Sequence, residues 1–248
     1  MIKLLLLLLS GLKLGKVLTT GGTMLISVVV YAFIFGWRYA AGFVVLMFVH
    51  EMGHFIAARQ RGLKVGVPTF IPFVGAWIEM KELPHDAETE AYVGLGGPLV
   101  GTIGAVGCYF LARDTGESWL LAVAYGGFFL NLFNLIPLSP LDGGRITAVL
   151  SPKLWLLGVP VLLGAFWLNP SPMLILIAVM AAPQVIKAWK FRADDPAHAA
   201  YYQASAETRL TYAVAYIGLL AFLAVMTHDV HQMLGAAVGE VSSGGDWF

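Results

Sequence analysis

Tyr39-Ala40-Ala41-Gly42-Phe43-Val44-Val45-Leu46-Met47-Phe48-Val49-His50-Glu51-Met52-Gly53-His54-Phe55-Ile56-Ala57-Ala58 is apolar throughout except at His50, Glu51 and His54. It is as long as a membrane-crossing helix, which takes about 20 such residues. Ionisable side chains inside such a helix are costly, so they mark a functional site by default. Their pattern is H-E-x-x-H. On a helix, His50 and His54 share one face a turn apart, so both imidazoles can grip one metal ion. Glu51 lies about 100° further round, where it can act as a base toward water on the metal's open side. With 6 His and 8 Glu in the chain, the pattern would arise by chance about 0.005 times.

The rest of the composition agrees with a membrane setting. Hydrophobic residues make up 58% of the 248 and charged residues 12%, against about 25% charged in soluble domains. This describes a polytopic membrane protein. The formal net charge of zero gives no basic field for nucleic acid. The single cysteine, Cys108, excludes an internal disulfide and C-x-x-C metal patterns, and reads as a small buried hydrophobe. Met1-Ile2-Lys3 and the leucines behind it resemble a signal peptide. The apolar block is short, Lys13 and Lys16 follow it, and no small-x-small site appears, so an uncleaved interfacial helix is expected.

Apolar runs place spans near 17–36, 40–60, 92–112, 118–137, 146–168, 172–188 and 210–227. Pro152, Lys153 and Pro160 interrupt the fifth. The expected fold is an all-α polytopic membrane protein of six or seven transmembrane helices. A single integral-membrane domain over 1–227, with a core near 40–145 that carries the H-E-x-x-H pattern, precedes a small-residue tail over 228–248 that reads as loosely ordered. With a cytoplasmic N-terminus, 13 of the 15 Lys and Arg fall inside and Arg38 and Arg113 fall outside, which decides orientation. Val67-Pro68-Thr69-Phe70-Ile71-Pro72-Phe73-Val74-Gly75-Ala76-Trp77-Ile78 is apolar, too short to span and rich in proline. It reads as a re-entrant loop or β-hairpin forming a wall of the active site, because irregular backbone at membrane depth must be satisfied by protein or a cavity.

Two histidines do not complete a catalytic zinc site, which usually has three protein ligands. Asp142 stands out in Asn134-Leu135-Ile136-Pro137-Leu138-Ser139-Pro140-Leu141-Asp142-Gly143-Gly144-Arg145, just past a span that ends inside. His50 and His54 lie about 15 and 21 Å along the second span, in its inner half and within reach of that turn. Asp86, beside His85, is the rival ligand, but Glu82, Glu88 and Glu90 make its loop read as a solvated face. His228 and His231 fall on the opposite side of the membrane, and His198 stands alone in a polar loop.

With these residues in view, the sequence resembles the site-2 protease family of intramembrane zinc metalloproteases, peptidase family M50. H-E-x-x-H matches at His50–His54, and the family's N-x-x-P-x-x-x-x-D-G pattern matches at Asn134, Pro137, Asp142 and Gly143. Between them, Gly94-Leu95-Gly96-Gly97-Pro98-Leu99-Val100-Gly101 matches a glycine-proline motif. The resemblance covers roughly residues 40–145. It departs at Gly101, where many members have asparagine, and no PDZ or CBS domain is recognised. The resemblance implies that His50, His54 and Asp142 bind one zinc per chain and that Glu51 is the general base and acid. Asn134 is a candidate for hydrogen bonding to the oxyanion or the substrate backbone, or else a polar contact between helices.

The activity this implies is hydrolysis of peptide bonds within or near transmembrane segments. The expected partners are a transmembrane protein substrate and the lipid bilayer, with no oligomeric state fixed by the sequence. The expected setting is a prokaryotic cell membrane, multi-pass, with the site in the cytoplasmic half. A helical substrate has its backbone already bonded and must unwind locally, for which pairing with the 67–79 segment is one route. The alternatives are a non-hydrolytic membrane zinc-binding or transport protein, and an inactive scaffold. Transport predicts polar residues through both leaflets, whereas here they are confined to the inner half.

Overall fold

Gly36, at φ 83°, turns the chain back between the first two helices, a backbone conformation that costs glycine little. These are α1 (Leu12–Phe35) and α2 (Trp37–Gln60), which pack side by side. The computed structural model describes residues 12–73, 75–80, 82–192 and 200–243. The leucine-rich segment at 1–11, the loop residue His198 and the last five residues lie outside the described residues. After α2 come strands β1 (Val65–Ile71) and β2 (Gly75–Met80), then α3 (Ala87–Thr115) and α4 (Ser118–Asn134). A short helix α5 (Asp142–Ala148) leads through a 3₁₀ turn, Pro152–Leu157, into α6 (Gly158–Leu168). α7 (Pro172–Lys190) and α8 (Ala206–Ser243) follow.

The chain is an all-α polytopic membrane protein with one small sheet. Among the described residues, α1, α2, α3, α7 and α8 are long and apolar enough to cross a bilayer. α4, with 17 residues, reaches about 25 Å at 1.5 Å per residue. Leu25, Phe33, Ile103, Trp167, Val179 and Ile217 point outward as exposed apolar side chains, the surface expected against lipid.

Two expectations are corrected. The fifth span over 146–168 is not one helix. Its first residues belong to buried α5, and Pro152 opens the separate 3₁₀ turn as its first residue, a position where proline's missing N–H costs nothing. The tail is not loosely ordered over its described part, since α8 runs on through His228 and His231 to Ser243.

The 67–78 segment is a β-hairpin. β1 and β2 are antiparallel, with Thr69 opposite Trp77 and Ile71 opposite Gly75. The other edge of β1 is held by α1. Thr20 Oγ1 donates to the Pro68 carbonyl (2.6 Å), and Thr23 Oγ1 accepts from Phe70 N (3.2 Å). Pro68 therefore lies where its absent N–H is not needed by the ladder to β2.

The core has two main parts. Leu46, Ala105, Val123, Phe128 and Leu223 join α2, α3, α4 and α8. Leu138, Trp155, Leu162 and Ile177 join the segment before α5 to the 3₁₀ turn, α6 and α7. Tyr201, before α8, ties to the start of α3. Its carbonyl accepts from Ala87 N (2.9 Å) and its hydroxyl donates to Glu90 (2.7 Å). Burial and the facing Glu90 carboxylate both raise this phenol, so it remains a protonated donor.

Candidate metal centre

The site begins with the close approach of α2 and α3. A Cβ on Gly53 would overlap the Gly96 carbonyl, and one on Gly97 would overlap the His54 imidazole. Small residues therefore let the two backbones meet, and Gly97 leaves the space that the His54 ring occupies. His50, Glu51 and His54 are all buried on α2.

Each imidazole is oriented through Nδ1. His54 Nδ1 lies 2.8 Å from the Val93 carbonyl on α3, and His50 Nδ1 lies 2.8 Å from Asn131 Oδ1 on α4. Asn131 Nδ2 donates to the Gly127 carbonyl (2.7 Å), which fixes the amide with its oxygen toward His50. Both partners can only accept, so each neutral ring carries its proton on Nδ1 and leaves Nε2 as a lone pair.

Asp142 reaches this point from the first residue of α5. The turn before it is held tightly. Tyr216 on α8 donates to the Leu135 carbonyl (2.6 Å), and Trp155 Nε1 donates to the Gly144 carbonyl (2.7 Å). A Cβ on Gly143 would overlap the Leu135 and Ile136 carbonyls, and one on Gly144 would overlap the backbone at Ser139. The glycine pair thus lets α5 start inside the protein with its carboxylate facing α2.

The two Nε2 atoms are 3.1 Å apart, and each is 3.2 Å from one oxygen of Asp142. Two lone pairs and a carboxylate facing each other in a buried place repel unless a cation joins them. Two donors on one tetrahedral zinc, with bonds near 2.0–2.1 Å, stand about 3.3 Å apart. The donor set and spacing therefore fit zinc. Among the described residues, His50, His54 and Asp142 form the group of metal-binding side chains close enough to share an ion. Glu51 lies within electrostatic reach of both histidines, Asp142 and Arg145. Arg145 Nη1 is 3.9 Å from Asp142 Oδ1.

The other nominated residues lie elsewhere. Asn134 donates to the Leu130 carbonyl one turn back (3.0 Å). Asp86 caps α3 by accepting from Thr89 N (2.6 Å). His231 packs its ring on Tyr125. Sequence reasoning singled out Asn134 and not Asn131, the amide one turn earlier in the same apolar helix. A Cβ on Gly101 would overlap Asn131 Oδ1, so the Asn131 carboxamide fills the room left at Gly101.

Comparison with known proteins gives a consistent picture. Residues 38–116 match the family model described as Peptidase family M50. A zinc metalloprotease of Methanocaldococcus jannaschii is 34% identical over 119 residues, covering 44% of this chain and 34% of the relative. An Arabidopsis thaliana protein described as "probable zinc metalloprotease EGY1, chloroplastic" is 32% identical over 153 residues, covering 43% of this chain and 28% of the relative. The chain thus spans about a third or less of the length of these relatives.

Proposed function

We propose that the chain is an intramembrane zinc endopeptidase acting on transmembrane segments of other proteins, a reading supported by its match to peptidase family M50 over residues 38–116 and by its similarity to zinc metalloproteases. The observation that carries this reading is the meeting of two Nε2 lone pairs and a carboxylate beside Glu51, within a buried, membrane-embedded bundle. His50, His54 and Asp142 hold one zinc. When bound, zinc polarises a carbonyl oxygen and makes water more acidic near neutral pH.

The protein's own groups do the rest. Glu51 takes a proton from the attacking water on its carboxylate and passes it to the leaving amine, the two halves of general acid–base catalysis. Asn134 offers an amide hydrogen to the substrate. The helices around the site exclude bulk water, which strengthens each of these electrostatic interactions. The lysine and arginine bias supports a cytoplasmic N-terminus, with the site in the cytoplasmic half of the bilayer.

The hairpin supplies a place for an unwound substrate. One edge of β1 is taken by α1 and the other by β2, which leaves the outer edge of β2 for strand addition. In this register Ala76 directs its N–H and C=O to that edge, and among the described residues no hydrogen bond reaches them. Ala76→Pro removes an outward donor without touching the ladder to β1. It is expected to cut cleavage severely while zinc content stays at the wild-type level. Unchanged cleavage would remove the hairpin from the account.

The function itself is tested without knowing the substrate. New N-termini are mapped in membranes from cells expressing the wild type or Glu51→Gln. Fragments beginning inside or beside apolar segments, present with the wild type alone, are the expected result. Identical patterns from two folded, zinc-loaded proteins would overturn proteolysis and favour a zinc-binding or transport role.

A further inference from the structure

His50 is the metal ligand whose orientation depends on a side chain rather than on a backbone carbonyl, and that side chain is Asn131. It is 1% exposed, on an apolar helix that carries Asn134 one turn further on. Its two ends are committed differently. Nδ2 donates to the Gly127 carbonyl of its own helix, and Oδ1 accepts from His50 Nδ1 at 2.8 Å. Gly101 on α3 makes the room, because any Cβ there would overlap Oδ1. A buried polar side chain in lipid surroundings is costly, and here it bridges α4 to one ring on α2.

We propose that Asn131 is a positioning residue for zinc, holding His50 in the Nδ1–H tautomer with Nε2 aimed at the metal. The inference rests on the reading of His50, His54 and Asp142 as zinc ligands. A ligating histidine whose other nitrogen donates to an acceptor is fixed in tautomer and ring angle and is more basic, and loss of such a partner typically weakens metal binding by about 10–100-fold. His54 draws the same service from the Val93 carbonyl, which substitution cannot remove. Asn131 is thus the adjustable half of the ligand support.

The test is the zinc dissociation constant of the full, detergent-purified chain, measured by chelator competition for wild type, Asn131→Ala, Asn131→Leu and Asn131→Asp. Leucine keeps the volume but removes the acceptor. Aspartate keeps the acceptor but removes the donation to Gly127. The expected result is affinity weakened about 10–100-fold in the Ala and Leu variants, and equal to or tighter than wild type in the Asp variant. A role in packing alone predicts the reverse order, with Leu mild and Asp weak. Wild-type affinity in Asn131→Leu, or Asn131→Asp as weak as Asn131→Ala, would overturn the inference and leave the protease reading intact. If Ala and Leu fail to fold, the near-isosteric Asp variant decides alone. Absence of zinc binding in the wild type would overturn both readings together.

Discussion

Glu51→Gln is expected to eliminate measurable cleavage and leave zinc in place. The glutamine matches the glutamate in size on the same buried turn of α2, so packing is preserved. It has no carboxylate to take up the water proton, and it has no proton to return to the leaving amine. General acid–base catalysis contributes about 10²–10⁴-fold in rate, and in the proposed mechanism one group serves both directions. Because Glu51 is not among the three converging side chains that could hold a metal, metal content should match wild type. Side-by-side measurement of cleavage and bound zinc checks this. Loss of zinc in the variant would make Glu51 a ligand or a structural support instead.

Gly97→Ala is expected to abolish zinc binding although it changes no ligand. The added Cβ would overlap the His54 ring at Nε2, the atom that faces Asp142. The ring cannot simply swing away, because its Nδ1 is held by the Val93 carbonyl. Nor can α3 retreat freely, since Gly96 is packed against the Gly53 backbone. Forcing atoms into such a place costs about 1–3 kcal/mol of stability in well-packed cores. Gly107→Ala is the control on the same helix, because open space surrounds its Cβ position. Zinc titration and thermal melting of both variants decide the matter. A zinc-binding Gly97→Ala protein with wild-type affinity would contradict the geometry given to His54.

Why some of this was legible in the sequence and some was not follows from the range of the interactions. The face shared by His50 and His54 is set by local helix geometry. The membrane setting is set by composition, and Asp142 by chain direction and length. The hairpin at 67–78 was legible as a non-helical segment because its prolines exclude a helix. Asn131 was not legible against Asn134. Both lie in one apolar run, one turn apart, and which of them meets His50 depends on how α4 is rotated against α2. That rotation is fixed by tertiary notches such as Gly101 and Gly127, where α3 and α4 approach.

The broken fifth segment escaped for a different reason. Hydropathy records that 146–168 is apolar but not that α5 is a separate buried helix held by the Trp155–Gly144 hydrogen bond. The end of α8 escaped because glycines such as Gly235 and Gly239, beyond His228, have weak intrinsic helix preference. Propagation from an existing helix needs far less of it than nucleation does.

The most direct test of the account is zinc content of the detergent-purified protein, compared among wild type, His54→Ala, Asp142→Ala and Glu51→Gln. The account predicts about one zinc per chain in wild type and Glu51→Gln, as expected for a three-ligand site, and loss of zinc in the other two. Zinc retained in Asp142→Ala, or absent from folded wild type supplied with metal, would contradict it.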